Sequence, residues 1–491
     1  MQFRLLLLLL ALSVGCQPPG NGSDDDDATG DDDDATGDDD DATGDDDDAT
    51  GDDDDATGDD DDAADTYTFA SRLEDGSDSV SHSGQSFRHV LIQDMKTRIG
   101  GMTDRLNVDW FPAEDEVVGE MDFYFRFDGD SSASLPHNVS TSPDPLQETY
   151  GDISSGKNLV GKLAGNDVVG QHVDWSTGFV GWTGASSPEG LVVSWFEQLE
   201  DQAIDWAGGV YPTDPGGAPV GSVFITEQGT DLQQLIQKFL LGAVAFSQGA
   251  DDYLDDDEAG KGLQSGHDAV EDGKNYTALE HAWDEAFGYF GATRDYGMWT
   301  DDEIASLSGR DSVDVDGFVD LKKEFVWGHA KNAGKRDRCA DCPVAPDFTQ
   351  RAWDAFLGGR SYIASKSSTL SAAEVAELAV FRDEALAAWE EAIAATVVHY
   401  INDLNADLEA DLTGDGFATM AKHYSEMKGF ALTLQFNRLS PLGSPEFLEL
   451  HELLGDAPNF ADPVAYAEDL VAARALLGAA YGFDAGNLVA W

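Results

Sequence analysis

A histidine and a glutamate four residues apart are the pair in this chain best placed to do chemistry. Residues 274–291 read KNYTALEHAWDEAFGYFG. At 100° per residue, Leu279, Ala282, Trp283, Ala286, Phe287, Tyr289 and Phe290 share one arc of a helix, and His281, Glu285 and Gly288 share another. The Glu285 carboxylate is close enough to orient or charge the imidazole, and Gly288 one turn on lets a ligand or a second helix approach. A solvated helix face with an incidental ion pair has the same signature.

Two other stretches put polar groups where a simple bundle would not. On 417–436 the apolar arc holds Phe417, Met420, Tyr424, Met427, Phe430, Ala431 and Leu434, with His423, Lys428 and Gln435 inside or beside it. A buried Lys428 calls for an acidic partner from another helix, because an unpaired buried ammonium is costly. On 371–404, Leu386, Trp389, Ile393, Val397 and Tyr400 form one face. His399 lies beside Ala388, Ala392 and Ala395, with Asp403 four residues on. It is either a core histidine held by a carboxylate or part of a site.

Metal signals are partial. Residues 312–324, SVDVDGFVDLKKE, place Asp314, Asp316, Gly317 and Asp320 at calcium-loop spacing. Ser312 stands at the first ligand position and Lys323 at the last, with Glu324 one residue late. The stretch is a candidate for calcium or another divalent metal, or an Asp-rich turn capping the next helix. Two near-matches to a phosphate loop, 151–158 and 156–163, lack the hydroxyl after lysine that would hold magnesium. His451-Glu452 begins a zinc-peptidase motif that ends at Gly455 instead of histidine, and no GxSxG occurs. Nucleophilic catalysis has no support in the sequence.

The N-terminus specifies an address. Arg4, the run Leu5 to Leu10 and Ser13-Val14-Gly15 precede Cys16, a pattern too short to span a bilayer and similar to a bacterial lipoprotein signal over residues 1–15. The resemblance implies a lipidated Cys16 as first mature residue, and Gln17 after it implies the outer membrane. From 24 to 62 the heptapeptide DDDDATG recurs. With no apolar residue larger than alanine it cannot bury surface, so 16–65 reads as a disordered tether. Its 42 residues from Asp24 to Asp65 extend on the order of 140 Å at most.

The net charge of −68, of which the aspartate runs supply 24, argues against nucleic acid or an anionic membrane surface as partner. With Cys16 lipidated, Cys339-Ala-Asp-Cys342 remains as one CxxC in an oxidising compartment, where a local disulfide is favoured over a metal site needing two more ligands.

Residues 66–491 read as an all-α core with a small irregular N-terminal addition. Short strands are expected at 67–69 and 79–83, helices at 85–99 and 114–127, and long loops over 140–184. Further helices are expected at 188–206, 231–247, 276–291, 319–332, 349–364, 371–404, 417–436, 445–454 and 463–481. The segment 235–246, apolar nearly all round but only about twelve residues long, reads as a buried central helix.

The stretches SFRHVLIQDMKTRIGG from Ser86, DLQQLIQKFLLGAV from Asp231, YTALEHAWDEAFGYFGATRDY from Tyr276, ATVVHYINDL from Ala395, SEMKGFALTLQFNRLSP from Ser425 and HELLGDAP from His451 together resemble the bacterial lipoprotein family labelled domain of unknown function 4856. That family is similar to the imelysins, two-bundle helical proteins of the cell envelope linked to iron acquisition and once classed with metallopeptidases. Imelysins carry Gly-x-His-x-x-Glu. The aligned residues here are Leu279, His281 and Asp284, so the histidine is kept and the acid appears as Asp284 or Glu285.

The resemblance implies an imelysin-like binding protein whose cleft gathers His281, Glu285, His423 and His329 around a metal, haem or peptide. Asp284, Lys428 and His399 are further ligand-binding candidates. A metal-dependent hydrolase using the same residues and a structural scaffold are the other two readings. The binding reading requires the rings of His281 and His423 to face a shared void within about 15 Å.

Overall fold

The computed structural model describes residues 66–491 apart from 74, 75, 155, 168–170 and 272; the signal segment, Cys16 and the whole tether lie outside the described residues. The described chain is all-α, and its only β pairing is a set of isolated bridges. The strands expected at 67–69 and 79–83 reduce to one antiparallel bridge, Ala70 to Asp78, because Ser83 already opens the first helix.

The longer helices start and stop where local chemistry dictates. α1 is Ser83–Gly100 and α2 is Glu116–Phe125. α3, Pro188–Ala207, has Ser187 capping the Gly190 amide and proline in the first turn. α4, Leu232–Leu240, is capped by Asp231. α5, Ala278–Phe290, opens with a capping box between Thr277 and Glu280 and ends at Gly291 in the left-handed region, φ 90°.

α6 is Gly328–Asp337 and α7 is Phe348–Ala364. α8, Ala372–Glu409, opens with a second capping box, Ser371 with Glu374. α9 is Asp415–Ala431, α10 is Ser444–Leu454 and α11 is Pro463–Tyr481. After α6, Cys339 and Cys342 form a disulfide. Among the described residues no helix is long and apolar enough to cross a membrane.

Two expectations need correction. The helix expected over 319–332 begins only at Gly328, because Gly309 bridges Phe325 and the Val326 amide donates to the Ser308 carbonyl at 2.7 Å. The helix expected over 231–247 turns π-helical at Leu241–Phe246 and again at Gly249–Tyr253. The first of these stretches is buried on every side, so widening the turn exposes nothing apolar.

Packing closes six of these helices into a ring: α8 lies on α9, α9 on α4, α4 on α1, α1 on α5, α5 on α7 and α7 again on α8. Trp389 of α8 fills its interior. Its ring centroid is 5.3 Å from Phe246, 5.4 Å from Phe290, 5.7 Å from His329 and 6.4 Å from Phe356. Closest approach falls at glycines. A Cβ on Gly359 of α7 would stand 2.0 Å from the Trp283 ring of α5, closer than two carbon atoms can come. Gly359→Ala is therefore expected to destabilise the fold by about 1–3 kcal/mol, read as a lower midpoint of denaturant unfolding with an unchanged slope.

Candidate functional site

On α5, His281 is partly buried and held by structure rather than presented to a void. Its ring stacks on Tyr276 at 4.2 Å, its Nδ1 lies 3.0 Å from the Ser81 carbonyl, and its Nε2 is 3.7 Å from Glu285. Glu285 in turn accepts from Gln85 of α1 at 2.7 Å. The close approach foreseen at Gly288 is made by this protein's own chain: a Cβ there would meet His82 at 2.5 Å, and His89 Nε2 lies 3.2 Å from the Gly288 carbonyl.

Asp284 belongs to a different, fully buried network. It accepts from the Tyr67 hydroxyl and from Arg360 Nε, both at 2.9 Å. Arg360 also reaches Glu280 at 3.4 Å and Ser79 Oγ at 2.7 Å, with its guanidinium 4.6 Å from the Phe69 ring centroid. Burial pushes the Asp284 carboxyl up to about 6 against the opposing pull of Arg360. These groups pin the segment before α1 onto α5 and α7.

His399 of α8 and His423 of α9 both lie beside Tyr400 and each has a carboxylate partner. His423 Nδ1 pairs with Asp407 at 2.7 Å, and His399 Nε2 lies 3.3 Å from Asp403. The Tyr400 ring is 5.0 Å from His399 and 6.1 Å from His423. Burial alone would push His423 down, but the Asp407 carboxylate outweighs it and raises the imidazole above its ordinary value. Tyr400 donates to Glu426, which also pairs with Lys238 at 3.1 Å.

His281 and His423 thus have different surroundings, one against Ser81 and Tyr276, the other against Asp407 and Tyr400. His329 is fully buried among Phe246, Trp389 and Phe430. Among the described residues no three His, Cys, Asp or Glu groups come together to hold a metal. The expected metal-gathering cleft of His281, Glu285, His423 and His329 is not formed.

Lys428 is fully buried and has the acidic partner its position demands, Asp456 at 3.4 Å. It also donates to the Gly181 carbonyl at 2.9 Å and meets His451 Nδ1 at 3.0 Å. Burial brings its ammonium down to about 8. It clamps the 180s loop to the end of α10 and faces no cavity among those described.

The calcium expectation over 312–324 is also corrected. Glu324 Oε1 accepts the amides of Ser312, Val313 and Asp314 at 3.0, 2.7 and 3.1 Å, and Oε2 accepts that of Asp320 at 2.8 Å. Asp320 takes Gln147 and the Lys322 amide, Asp314 pairs with Lys323 at 2.7 Å, and Asp316 accepts the Phe318 amide. Backbone amides and a lysine occupy the carboxylates that an ion would need, and the four acids do not converge.

A carboxylate passed over in the sequence has the strongest site geometry. Glu390, 1 % exposed, lines a cavity of about 260 Å³ between α8, the loop after α9 and α11. Its Oε2 accepts from Asn437 Nδ2 at 2.5 Å, and its Oε1 accepts from Ser440 at 2.5 Å and Tyr481 at 2.7 Å. Asn437 Oδ1 takes the Leu439 amide, which fixes the amide so that nitrogen faces Glu390. Leu386, Ala387, Leu439 and Pro441 supply apolar wall, and Asp383 and Glu391 add charge.

Burial pushes the Glu390 carboxyl up to about 7, its three donors pulling the other way. Asp231 and Asp337 are raised comparably, to about 7 and about 6, but each caps a helix: Asp231 takes the Gln234 amide, Asp337 those of Phe348 and Thr349. Glu390 caps no helix; it ties α8 to the loop after α9 and to α11, and it borders open space. The available signal was its place four residues after Leu386 and three before Ile393, on a buried arc.

A family model described as Domain of unknown function (DUF4856) matches residues 64–454. The chain belongs to that family. No curated protein and no solved structure matches it. The DUF4856 match takes in α1 to α10, so Glu390, Asn437 and Ser440 lie within it and Tyr481 of α11 lies beyond.

Raised from 4.5 unfolded to about 7 folded, the Glu390 carboxyl holds its proton more tightly in the native state. Its contribution is full below about 4.5 and is lost as pH rises through about 7. Glu390→Gln should therefore gain stability relative to the parent between pH 4.5 and 7.5, measured as the difference in urea midpoints at the two pH values.

Proposed function

We propose that this member of the DUF4856 family is a ligand-binding protein of the bacterial outer membrane, anchored through a lipidated Cys16 and held away from the bilayer by its aspartate tether. The observation carrying the binding reading is the Glu390 pocket, in which apolar wall surrounds a few convergent polar groups from α8, α11 and the loop after α9. A strongly shifted carboxyl lining a cavity adds to it, since such groups concentrate at functional sites. The resemblance to imelysins supports an envelope binding role. Among the described residues no three His, Cys, Asp or Glu groups converge, which favours a ligand other than a metal ion held by side chains alone.

The test is native mass spectrometry of the mature chain isolated from its own membranes. A small-molecule adduct on the parent protein that disappears in Ala387→Trp, where the indole fills the pocket, is the expected result. Identical spectra for the two proteins would rule the pocket out as the ligand site.

A further inference from the structure

We infer that the Glu390 pocket selects a small organic cation, a primary ammonium or guanidinium on a short apolar body. The inference rests on the pocket being the ligand site and adds the chemical class of its occupant.

Three observations converge on that class. First, Glu390 is buried with neutral donors alone: an amide and two hydroxyls. A carboxylate offers about four acceptor positions. Three are taken, and one on Oε2 remains. A buried negative charge without a cation is unfavourable, and a positive group arriving from outside supplies both the missing charge and the missing hydrogen bond.

Second, the neighbouring charges have the same sign or are already paired. Glu391 and Asp383 line the same pocket, and no basic side chain does. Arg351 of α7 is held by Glu384 and Glu391 at 2.6 Å each. Arg382 is bound to Asp256, Asp383 and the Leu254 carbonyl, and Arg438 to Asp255 and Asp256. Glu391 and Asp383 are thus each matched by an arginine, which leaves Glu390 as the lining carboxylate without a cation, and no basic side chain lines the wall to receive an anion.

Third, size and wall chemistry bound the body of the ligand. The cavity of about 260 Å³ falls below the volume of sites for drug-sized molecules, and Leu386, Ala387, Leu439 and Pro441 favour a short alkyl or small ring over a sugar. Binding of a cation removes the Glu390 proton to solvent, so affinity rises with pH across the carboxyl's titration. The Tyr481 hydroxyl, itself raised by burial and by Glu390, stays protonated throughout and keeps donating.

The experiment titrates the full mature chain by calorimetry with n-butylammonium, n-butanol and butyrate. The expected result is n-butylammonium binding at least tenfold tighter than n-butanol at pH 7.5, no binding of butyrate, and roughly a 25-fold loss of n-butylammonium affinity at pH 5.5. Glu390→Gln should lose the preference for the amine while still binding the alcohol. Equal affinity for amine and alcohol, both abolished by Ala387→Trp, would overturn the cation assignment and leave the pocket standing. Absence of binding by all three probes to the parent protein would overturn both. The comparison of probes on the parent chain needs no variant to fold.

Discussion

The architecture depends on keeping one very long helix covered from several directions at once. α8 has 38 residues, about 57 Å of helix, and its middle turns contact α6, α7, α9 and α11. Ala388, Ala392, Ala394 and Ala395, all buried, let those neighbours come close, while Trp389 fills the space their small side chains leave. A helix enclosed in this way has little solvent arc left over its central turns. Acidic residues there cannot all reach water, which is why Glu390 is buried while Glu391, the next residue, reaches the surface and Arg351.

The interior treats its charges in distinct ways. Arg360 is neutralised by Asp284 and Glu280, and Lys428 is matched by Asp456. Glu324 is satisfied by four backbone amides. In each case the compensation is complete within the chain, and the group fastens separate segments together. Glu390 is compensated by uncharged donors and borders unfilled volume, so its energetics are open to an outside molecule in a way the others are not.

How much of this was legible in the sequence depended on the range of the forces involved. Helices such as 188–206 and 463–481 could be placed because caps, prolines and an apolar arc are local. The helix expected at 319–332 failed because the pairing of Gly309 with Phe325 comes from a turn sixteen residues away. The π-helical turns after Leu240 leave no periodic mark in a segment apolar all round. For the site, the burial of Lys428 and its need for an acid followed from the arc it occupies. The joining of His281 to His423 required knowing which helices are neighbours, and no spacing along the chain encodes that. Glu390 in Trp-Glu-Glu looks the same as Glu391 until α11 covers one of them.

That covering helix divides the pocket by origin. The acid, its amide donor and one hydroxyl donor come from the part shared with the DUF4856 family, and the phenol that closes the set comes from Tyr481, past the end of the match. A substitution at Tyr481 reshapes the cavity wall while leaving the contacts of α8 with α7 and α9 as they are. The outline of this cavity can therefore vary at a position outside the family match while the helices around α8 keep their packing.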